Sequence, residues 1–218
     1  MIAIVDYGLG NLGSIQNMLK VIGEKSKITG REEEIRSSDG LILPGVGAFD
    51  AGMSRLTSSG LSELLRRQAA EGKPILGICL GMQLLGRESE EGSLPGLSLL
   101  PFVCRRFRPE DPTLRVPHMG WDVVEFKKEH PLLDHITGQQ RYYFVHSYHA
   151  VCDDPDDILM TCRYGCEFAA AVGRENVLGV QFHPEKSHFF GLALLSNFVK
   201  ICHGGITCSA DRESSPRC

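Results

Sequence analysis

The chain has 218 residues, of which 42% are hydrophobic and 23% are charged, and its formal net charge is −4. This length and composition predict one folded domain with a buried core, and the mild negative charge disfavours nucleic acid as a partner. No apolar run approaches the roughly 20 residues of a membrane-spanning helix, and the N-terminus lacks the features of a signal peptide. We therefore expect a cytoplasmic protein without membrane association.

The first half of the chain alternates strand patterns with helix patterns. Apolar runs at residues 2–6, 40–45 and 74–79 predict strands, and the segment SKIT at 26–29 is a further strand candidate. Apolar residues at helical spacing, or runs of strong helix formers, predict helices at 11–22 and 61–72. Strands that alternate with helices predict an α/β fold with a central, mostly parallel sheet flanked by helices.

The second half changes character and consists mainly of strand-like stretches, at residues 98–107, 122–126, 141–151, 158–165 and 168–183. Some of them are joined by turns, which predicts an antiparallel or mixed region. A last amphipathic helix is expected at about 187–203. The polar residues 204–218 show almost no periodicity, so we expect them to form a mobile tail behind a single domain of residues 1–203.

The cysteines give no sign of a metal site or a disulfide framework. Eight cysteines at irregular spacings, in a chain without a secretory signal, favour free thiols. Cys162 and Cys166 resemble half of a zinc site, but no second pair or His-x3-His follows at zinc spacing. We expect neither a metal nor a cofactor.

Gly8, Gly10 and Gly13 form a G-x-G-x-x-G pattern between a predicted strand and a predicted helix, which is the context of a dinucleotide-binding turn. The acidic residue that should end the second strand and hold the ribose is missing, because that strand ends in Thr29 and Gly30. Glycines that let a strand turn tightly into a helix explain the pattern without a ligand, and we prefer this second interpretation.

Cys79 lies in Gly77-Ile78-Cys79-Leu80-Gly81, where a predicted strand meets a helix-forming segment. This G-x-C-x-G pattern matches a nucleophile elbow with sulfur in place of oxygen. A nucleophile on such a turn has a strained backbone, and glycines two residues away on either side avoid clashes. The helix start favours a thiolate, and the N–H of Leu80 can face a developing oxyanion. On this pattern alone, a buried structural cysteine remains the alternative.

A cysteine nucleophile needs a base, and the base needs a group that orients it. The strand-like run 177–182 ends in His183-Pro184-Glu185, and residues i and i+2 of an extended segment point the same way, so Glu185 can lie beside His183. The glycine-containing loop 44–47 follows another strand, and its N–H groups can turn toward a ligand. A surface turn is the alternative interpretation of both segments.

Together with these patterns, longer motifs resemble those of class I (triad) glutamine amidotransferases, and among them the glutaminase subunits of imidazole glycerol phosphate synthases. The matching motifs are DYGLGN at 6–11, LPGVGAFDAGM at 43–53, GICLGMQLL at 77–85, PHMGWD at 117–122, YFVHSY at 143–148 and GVQFHPEKS at 179–187. The resemblance implies a class I glutamine amidotransferase-like fold and extends over most of the chain.

The resemblance also implies a reaction. Cys79 would attack the side-chain amide of glutamine and give a γ-glutamyl thioester and ammonia, with His183 relaying protons and Glu185 holding His183. Water would then release glutamate. The implied oxyanion donors are the N–H of Leu80 and that of Val46 or Gly47, and the implied glutamine-binding residues are Gly47, Gln83, Ser147 and Tyr148.

Finally, the resemblance implies a partner. Ammonia released into neutral water becomes ammonium, and the family docks on a separate (β/α)8-barrel cyclase that uses the ammonia to make imidazole glycerol phosphate and an aminoimidazole carboxamide ribotide in histidine biosynthesis. Asn11, Trp121 and Lys186 match positions at or near that interface, while Asp122 stands where Asn is commoner. A glutaminase subunit of another pathway, a cysteine hydrolase with a similar elbow, and a nucleotide-binding module remain as alternatives.

Overall fold

A computed structural model of the chain describes residues 1–204, so the predicted tail lies outside the described residues from residue 205 onward. None of the helices in the described part combines the length and the apolar character that crossing a bilayer requires.

The first half of the chain has the alternating organisation that the sequence predicts. In chain order its elements are β1 (Ile2–Val5), α1 (Leu12–Ile22), β2 (Ser26–Thr29), α2 (Glu32–Arg36), β3 (Gly40–Gly45), α3 (Phe49–Ser58), α4 (Leu61–Ala70), β4 (Ile75–Cys79) and α5 (Leu80–Leu85). The four predicted strands and both predicted helices are confirmed to within two residues at either end. The helices α2 and α3 were not predicted.

The second half contains the other strands and the last helix. They are β5 (Glu88–Ser89), β6 (Phe102–Arg106), β7 (His118–Phe126), β8 (Gln140–His146), β9 (Tyr148–Cys152), β10 (Ile158–Tyr164), β11 (Cys166–Arg174), β12 (Val177–Val180) and α6 (His188–Cys202). The strand-like stretch 141–151 is divided at Ser147 into β8 and β9, which pair with different strands. Single 3-10 turns cover Pro131–Leu133, Pro155–Asp157 and Pro184–Lys186.

All strands belong to one mixed sheet, whose main order is β2-β1-β3-β4-β12-β11-β10-β7-β8. The pairs from β2 to β12 are parallel, and the pairs from β12 to β8 are antiparallel. A side branch joins β9 to β11 and to β6, which pairs with β5. The predicted parallel centre and the predicted antiparallel second half are therefore confirmed, although the sheet as a whole is mixed.

Helices cover both faces of the parallel half of the sheet. Alternate residues of β1 point to opposite faces, so Ile2 and Ile4 pack in one core, with Phe198 of α6, while Ala3 and Val5 pack in the other. The first core also contains residues of α1, and the second contains residues of α3 and α4. Burial on both faces explains why β1, β3, β4 and β12 are largely apolar, whereas the edge strand β2 is only partly buried.

The register of three neighbouring parallel strands brings three loops together. Gly45 at the end of β3 pairs with Cys79 at the end of β4, and Val180 at the end of β12 pairs with Ile78. The carboxyl ends of parallel strands meet at one edge of a sheet, where open α/β folds bind their ligands. The loop after Gly45, the turn at Cys79 and the segment after Val180 therefore converge.

Candidate active site

Cys79 lies on a strained turn between β4 and α5. Its backbone angles are φ 53° and ψ −109°, a conformation that residues with a side chain rarely adopt. A Cβ atom on Gly77 would lie 2.7 Å from the Gly81 carbonyl oxygen, and one on Gly81 would collide with the Leu43 carbonyl. Both glycines are therefore required by close backbone approaches, and the turn has the geometry of a nucleophile elbow.

His183 and Glu185 form a buried hydrogen-bonded pair beside this turn. The distance between His183 Nδ1 and Glu185 Oε1 is 2.7 Å, and the other ring nitrogen, Nε2, has no hydrogen-bond partner among the described residues. Burial lowers the pKa of His183, but its interactions with the Cys79 thiol and the Glu185 carboxylate outweigh burial and raise the pKa to about 9. The surroundings thus stabilise a protonated ring, as a base that accepts a thiol proton requires.

A buried hydroxyl fixes the turn that carries this pair. Ser187 Oγ donates to the His183 carbonyl (2.6 Å) and accepts from the Tyr143 N–H (3.0 Å), while the His183 N–H donates to the Tyr143 carbonyl (2.9 Å). The turn after β12 is thereby joined to β8. The role of Ser187 was not predicted from the sequence, because it depends on a strand that lies about forty residues earlier.

A cavity of about 300 Å³ opens in front of Cys79. Eight of the predicted site residues line it: Val46, Gly47, Cys79, Leu80, Gln83, Ser147, Tyr148 and His183. The remaining predicted catalytic residue, Glu185, lies behind the His183 ring. Four further residues line the cavity that the sequence analysis missed: Glu91, Pro117, Val145 and His146.

Two buried amides connect the cavity wall to the cysteine. Gln83 Nε2 donates to the Tyr148 carbonyl and to Gln181 Oε1, both at 3.1 Å. Gln181 Nε2 in turn lies 3.8 Å from Cys79 Sγ. Since both amide protons of Gln83 are used in these bonds, its oxygen is available to accept a hydrogen bond from a ligand. Gln181 was missed because its place beside Gln83 follows from the pairing of β4 with β12.

Glu91 is the acidic side chain among the residues that line the cavity. Burial raises its pKa, while a hydrogen bond of 2.9 Å from the Phe49 N–H lowers it. The bond from Phe49 fixes the carboxylate at the start of α3. A carboxylate in this position fits the positively charged amino group of an amino acid.

Two of the three predicted interface residues lie together on one surface. Trp121 is 40% exposed, and its ring stacks on that of His188 at a centroid distance of 5.5 Å. Trp121 also contacts Tyr143, and Lys186 Nζ lies 5.3 Å from the centroid of the Tyr143 ring on β8. Asn11 is exposed at the position before α1. We call the surface formed by Trp121, Tyr143, Lys186 and His188 the Trp121 face.

The Trp121 face includes further exposed apolar side chains. Met119 on the same strand and Phe189 next to His188 are both largely exposed. A second cavity, of about 230 Å³, lies between α1 and the turn that carries Lys186. Its lining residues come from the second half of α1, from the turn with Lys186 and from the start of α6, and Asn11 is not among them.

The glycine pattern at 8–13 has a structural explanation. Gly8 and Gly10 have positive φ angles of 80° and 107°, and a Cβ on Gly10 would lie 3.2 Å from Pro44 Cβ. A Cβ on Gly13 would meet nothing within 4 Å, although the last glycine of a dinucleotide fingerprint serves close packing between helix and strand. These positions support the interpretation of a tight turn.

The described residues contain no group of three or more His, Cys, Asp or Glu side chains placed to hold a metal ion. Six cysteines lie in this part of the chain, and each is a free thiol.

Comparison with known proteins agrees with this site. Residues 3–202 match the family described as glutamine amidotransferase class-I, and the chain belongs to this family. The chain is 53% identical to the imidazole glycerol phosphate synthase subunit HisH 2 of Pseudomonas aeruginosa over 202 residues, which cover 92% of this chain and 100% of the relative. It is 49% identical to the protein of the same name from Methanococcus maripaludis, over 92% of this chain and 99% of that one. The resemblance inferred from the motifs is confirmed.

Solved structures show the same fold at low sequence identity. A putative GMP synthase subunit from Thermoplasma acidophilum has a TM-score of 0.70 and 20% identity, and the match covers 94% of each chain. A structure of PurLQS from Thermotoga maritima has a TM-score of 0.70 and 19% identity, over 92% of this chain and 97% of that one. These similarities confirm a class I amidotransferase fold.

Proposed function

We propose that the chain is the glutaminase subunit of an imidazole glycerol phosphate synthase, which hydrolyses glutamine and supplies the ammonia to a partner cyclase in histidine biosynthesis. One observation carries the proposal: Cys79 lies on an elbow at the cavity, beside a histidine whose Nε2 is unpartnered among the described residues and whose Nδ1 is bound to Glu185. The relatives named above support the choice of pathway.

The chemistry follows from this arrangement. Cys79 Sγ gives its proton to His183 Nε2 and attacks the side-chain carbonyl carbon of glutamine, while Glu185 stabilises the protonated ring. The oxyanion is bound by the N–H of Leu80, at the start of α5, and by an N–H of the loop at Val46 and Gly47, whose strand ends beside Cys79. His183 then protonates the leaving amine, and water hydrolyses the thioester to glutamate.

The cavity residues select glutamine by its polar groups. The Gln83 oxygen, the Ser147 and Tyr148 segment and the Glu91 carboxylate surround the space in front of Cys79. In our proposal Glu91 binds the α-ammonium group, because a carboxylate and an ammonium form a charge-assisted hydrogen bond. The other groups hold the rest of the substrate.

We propose the Trp121 face as the surface that binds a (β/α)8-barrel cyclase. Exposed aromatic side chains and methionine are enriched at protein interfaces, and charged side chains lie mainly at their rims. Asn11 and Lys186 would lie at the border of this interface, as the resemblance implies. The free thiols among the described residues support a reducing compartment such as the cytoplasm.

The function is tested by assembling the chain with a barrel cyclase and measuring glutamate release from glutamine. Cys79→Ala is expected to abolish glutamate release and to leave the far-UV circular dichroism and the binding of the cyclase unchanged. Cys166→Ala, which changes an exposed cysteine, is the matched control and is expected to retain activity. Glutamate release by Cys79→Ala at the rate of the unmodified chain would refute the assignment.

The pathway is tested in the same assay by adding the ribotide substrate of the cyclase. Formation of imidazole glycerol phosphate from glutamine supports the proposal. Glutamate release without this product, in the presence of an active cyclase, would instead favour a glutaminase subunit of another pathway.

A further inference from the structure

A line of three hydrogen-bonded contacts runs from Asp122, beside Trp121 on β7, to the wall of the cavity. Asp122 Oδ2 lies 3.0 Å from His118 Nε2, and His118 Nδ1 lies 3.2 Å from His146 Nε2. His146 Nδ1 lies 2.8 Å from the carbonyl oxygen of Tyr148. We call these four groups the histidine relay. None of its three side chains has a role in the chemistry described above.

The end of the histidine relay belongs to the site. The Tyr148 carbonyl that faces His146 also accepts a hydrogen bond from Gln83, whose amide binds Gln181 beside Cys79. A continuous series of polar contacts therefore connects Asp122 to the nucleophile. A donor lost at the Tyr148 carbonyl is therefore lost at a residue that lines the cavity.

The two rings of the relay are buried, so water does not replace a contact that is lost. His118 is 2% exposed and lies between the rings of Phe144 and Tyr164, at centroid distances of 4.9 and 4.1 Å. His146 is buried as well. A hydrogen bond that is left unmade costs more free energy between buried groups than between exposed groups, because buried groups have already lost their contacts with water.

The relay needs one proton more than two neutral histidines supply. A carboxylate and a backbone carbonyl only accept hydrogen bonds, so both ends of the relay, Asp122 and Tyr148, are acceptors. Three contacts between these ends require three protons, and two neutral rings carry only two. The relay is complete only when His118 and Asp122 share an additional proton.

Without that proton, one contact is lost, and the strengths of the bonds decide which. A hydrogen bond to a carboxylate is about twice as strong as one between neutral groups. Neutral His118 therefore keeps its proton on Nε2, toward Asp122. His146 then carries its proton on Nε2, because two unprotonated nitrogens, His118 Nδ1 and His146 Nε2, would otherwise face each other at 3.2 Å, whereas the Tyr148 carbonyl still has its hydrogen bond from Gln83. His146 Nδ1 then has no proton, and the Tyr148 carbonyl loses the hydrogen bond from His146 and keeps only the one from Gln83.

We propose that Asp122, His118 and His146 are positioning residues that make glutamine binding depend on one proton shared between Asp122 and His118. When the proton is present, His146 holds the Tyr148 carbonyl in the cavity wall. When it is absent, His118 is neutral with its proton on Nε2, and His146 moves its proton from Nδ1 to Nε2 and no longer donates to the carbonyl. The kinetic part of this proposal rests on the proposed glutaminase function, whereas the tautomers do not depend on it.

The pKa values agree with this geometry. Burial lowers the pKa of His118, while the hydrogen bond and the charge of Asp122 raise it, with a net lowering. Burial lowers the pKa of His146 to about 3, so this ring is neutral at ordinary pH. The shared proton is therefore lost at a lower pH than the ordinary histidine value of about 6.5.

Other titratable groups face the relay from the elements packed against it, namely His149 on β9, Cys162 and Tyr164 on β10, and His183 after β12. Burial lowers the pKa of His149 and raises that of Cys162 to about 12, so both are uncharged at neutral pH. His183 disfavours a charge on His146. None of these contacts supplies the missing proton.

The relay is tested by nuclear magnetic resonance of the full ¹⁵N-labelled chain, because long-range ¹H–¹⁵N correlations distinguish the tautomers of a histidine. We expect His118 to be doubly protonated and His146 to carry its proton on Nδ1 in mildly acidic solution, and both rings to carry it on Nε2 in alkaline solution. In Asp122→Asn, His118 and His146 should each carry their proton on Nδ1 at every pH measured, because the amide can donate a hydrogen bond to His118 Nε2. Glu125→Gln, which removes an exposed charge on the same strand, is the control and should behave like the unmodified chain.

The link to the site is tested by the KM for glutamine of the complex with the cyclase, measured on both sides of the His118 titration. We expect the KM measured in alkaline solution, divided by the KM measured in acidic solution, to be about fivefold larger for the unmodified chain than for Asp122→Asn. This factor corresponds to the free energy of one hydrogen bond between neutral groups. Unchanged tautomers in the unmodified chain would overturn the relay. Equal KM ratios despite a tautomer change would overturn its link to the site. If no variant releases glutamate, the proposed function fails, and the resonance experiment still decides the relay.

Discussion

His183 Nδ1 and Glu185 Oε1 are 2.7 Å apart, and each side chain is only 2% exposed to solvent. In this buried pair the carboxylate stabilises the charged form of the ring, and the Cys79 sulfur does so as well. The folded protein therefore binds a proton on His183 more tightly than the unfolded chain does.

This pair predicts a pH dependence of stability. The pKa of His183 rises from about 6.5 in an unfolded chain to about 9 in the folded protein. Its contribution to the free energy of unfolding is complete below the unfolded value and is lost as the pH rises through the folded value. Glu185→Gln removes one of the two stabilising groups, so the variant should lose less stability between about pH 6.5 and about pH 9.5 than the unmodified chain.

Urea unfolding at the two pH values measures this difference. Glu125→Gln, which neutralises an exposed carboxylate, should lose as much stability as the unmodified chain. The prediction would be contradicted if Glu185→Gln lost as much stability between the two pH values as the unmodified chain and Glu125→Gln.

Replacement by alanine should change the free energy of unfolding in opposite directions at Gly81 and Gly13. A Cβ on Gly81 collides with the Leu43 carbonyl, whereas Gly13 lies in α1 with nothing within 4 Å of its Cβ position. Gly81→Ala should lower the free energy of unfolding by about 1–3 kcal/mol through overpacking. Gly13→Ala should raise it by about 0.5–1 kcal/mol through helix propensity. Thermal unfolding of both variants measures the difference, and a destabilised Gly13→Ala would show a close contact that the structure lacks.

Glu91→Gln should affect substrate binding more than turnover. The amide can still accept the hydrogen bond from Phe49, so the fold is kept, but the charge that faces the α-ammonium group is lost. A hydrogen bond to a charged group is worth about 1.5–3 kcal/mol, so the KM for glutamine should rise about 10- to 100-fold. Glu90→Gln is the neighbouring control, because Glu90 pairs with Arg105 instead. Equal KM values in the two variants would count against this role of Glu91.

Trp121→Ala should weaken the complex with the cyclase. Tryptophan anchors at the centre of an interface typically contribute at least about 2 kcal/mol, which corresponds to a Kd roughly 30-fold higher. Titration calorimetry with the cyclase measures this Kd. Val151→Ala removes an exposed apolar side chain on β9 and should leave the Kd unchanged. An unchanged Kd in Trp121→Ala would exclude the Trp121 face as the main docking surface.

The sequence predicted the elements whose signals are local. The central parallel strands β1, β3 and β4 are largely apolar runs, and the elbow is indicated by glycines two residues on either side of Cys79. The helix α3 was missed although Phe49, Met53 and Leu56 recur at helical spacing and are buried. Gly52 weakens the local helix signal, but the structure requires a small residue there, because a Cβ would lie 3.0 Å from Leu84.

The site residues that sequence analysis missed depend on contacts over long stretches of chain. Gln181 reaches Cys79 because β12 pairs with β4, about a hundred residues earlier, and His146 enters the cavity because β8 ends at that residue. Ser147 interrupts a stretch that reads as one strand, so the pairing of β8 with β7 and of β9 with β6 could not be read from local patterns. Strand pairing, not residue type, decides these positions.

The pairing of Gly45 with Cys79 makes the alignment of the active site depend on the hydrogen bonds between β3 and β4. The spacing between the attacking sulfur and the loop at Val46 is set by main-chain hydrogen bonds of the sheet, which form or break together. Weakening the core from a distance will therefore reduce the number of competent molecules, while each molecule that remains folded keeps its full catalytic alignment.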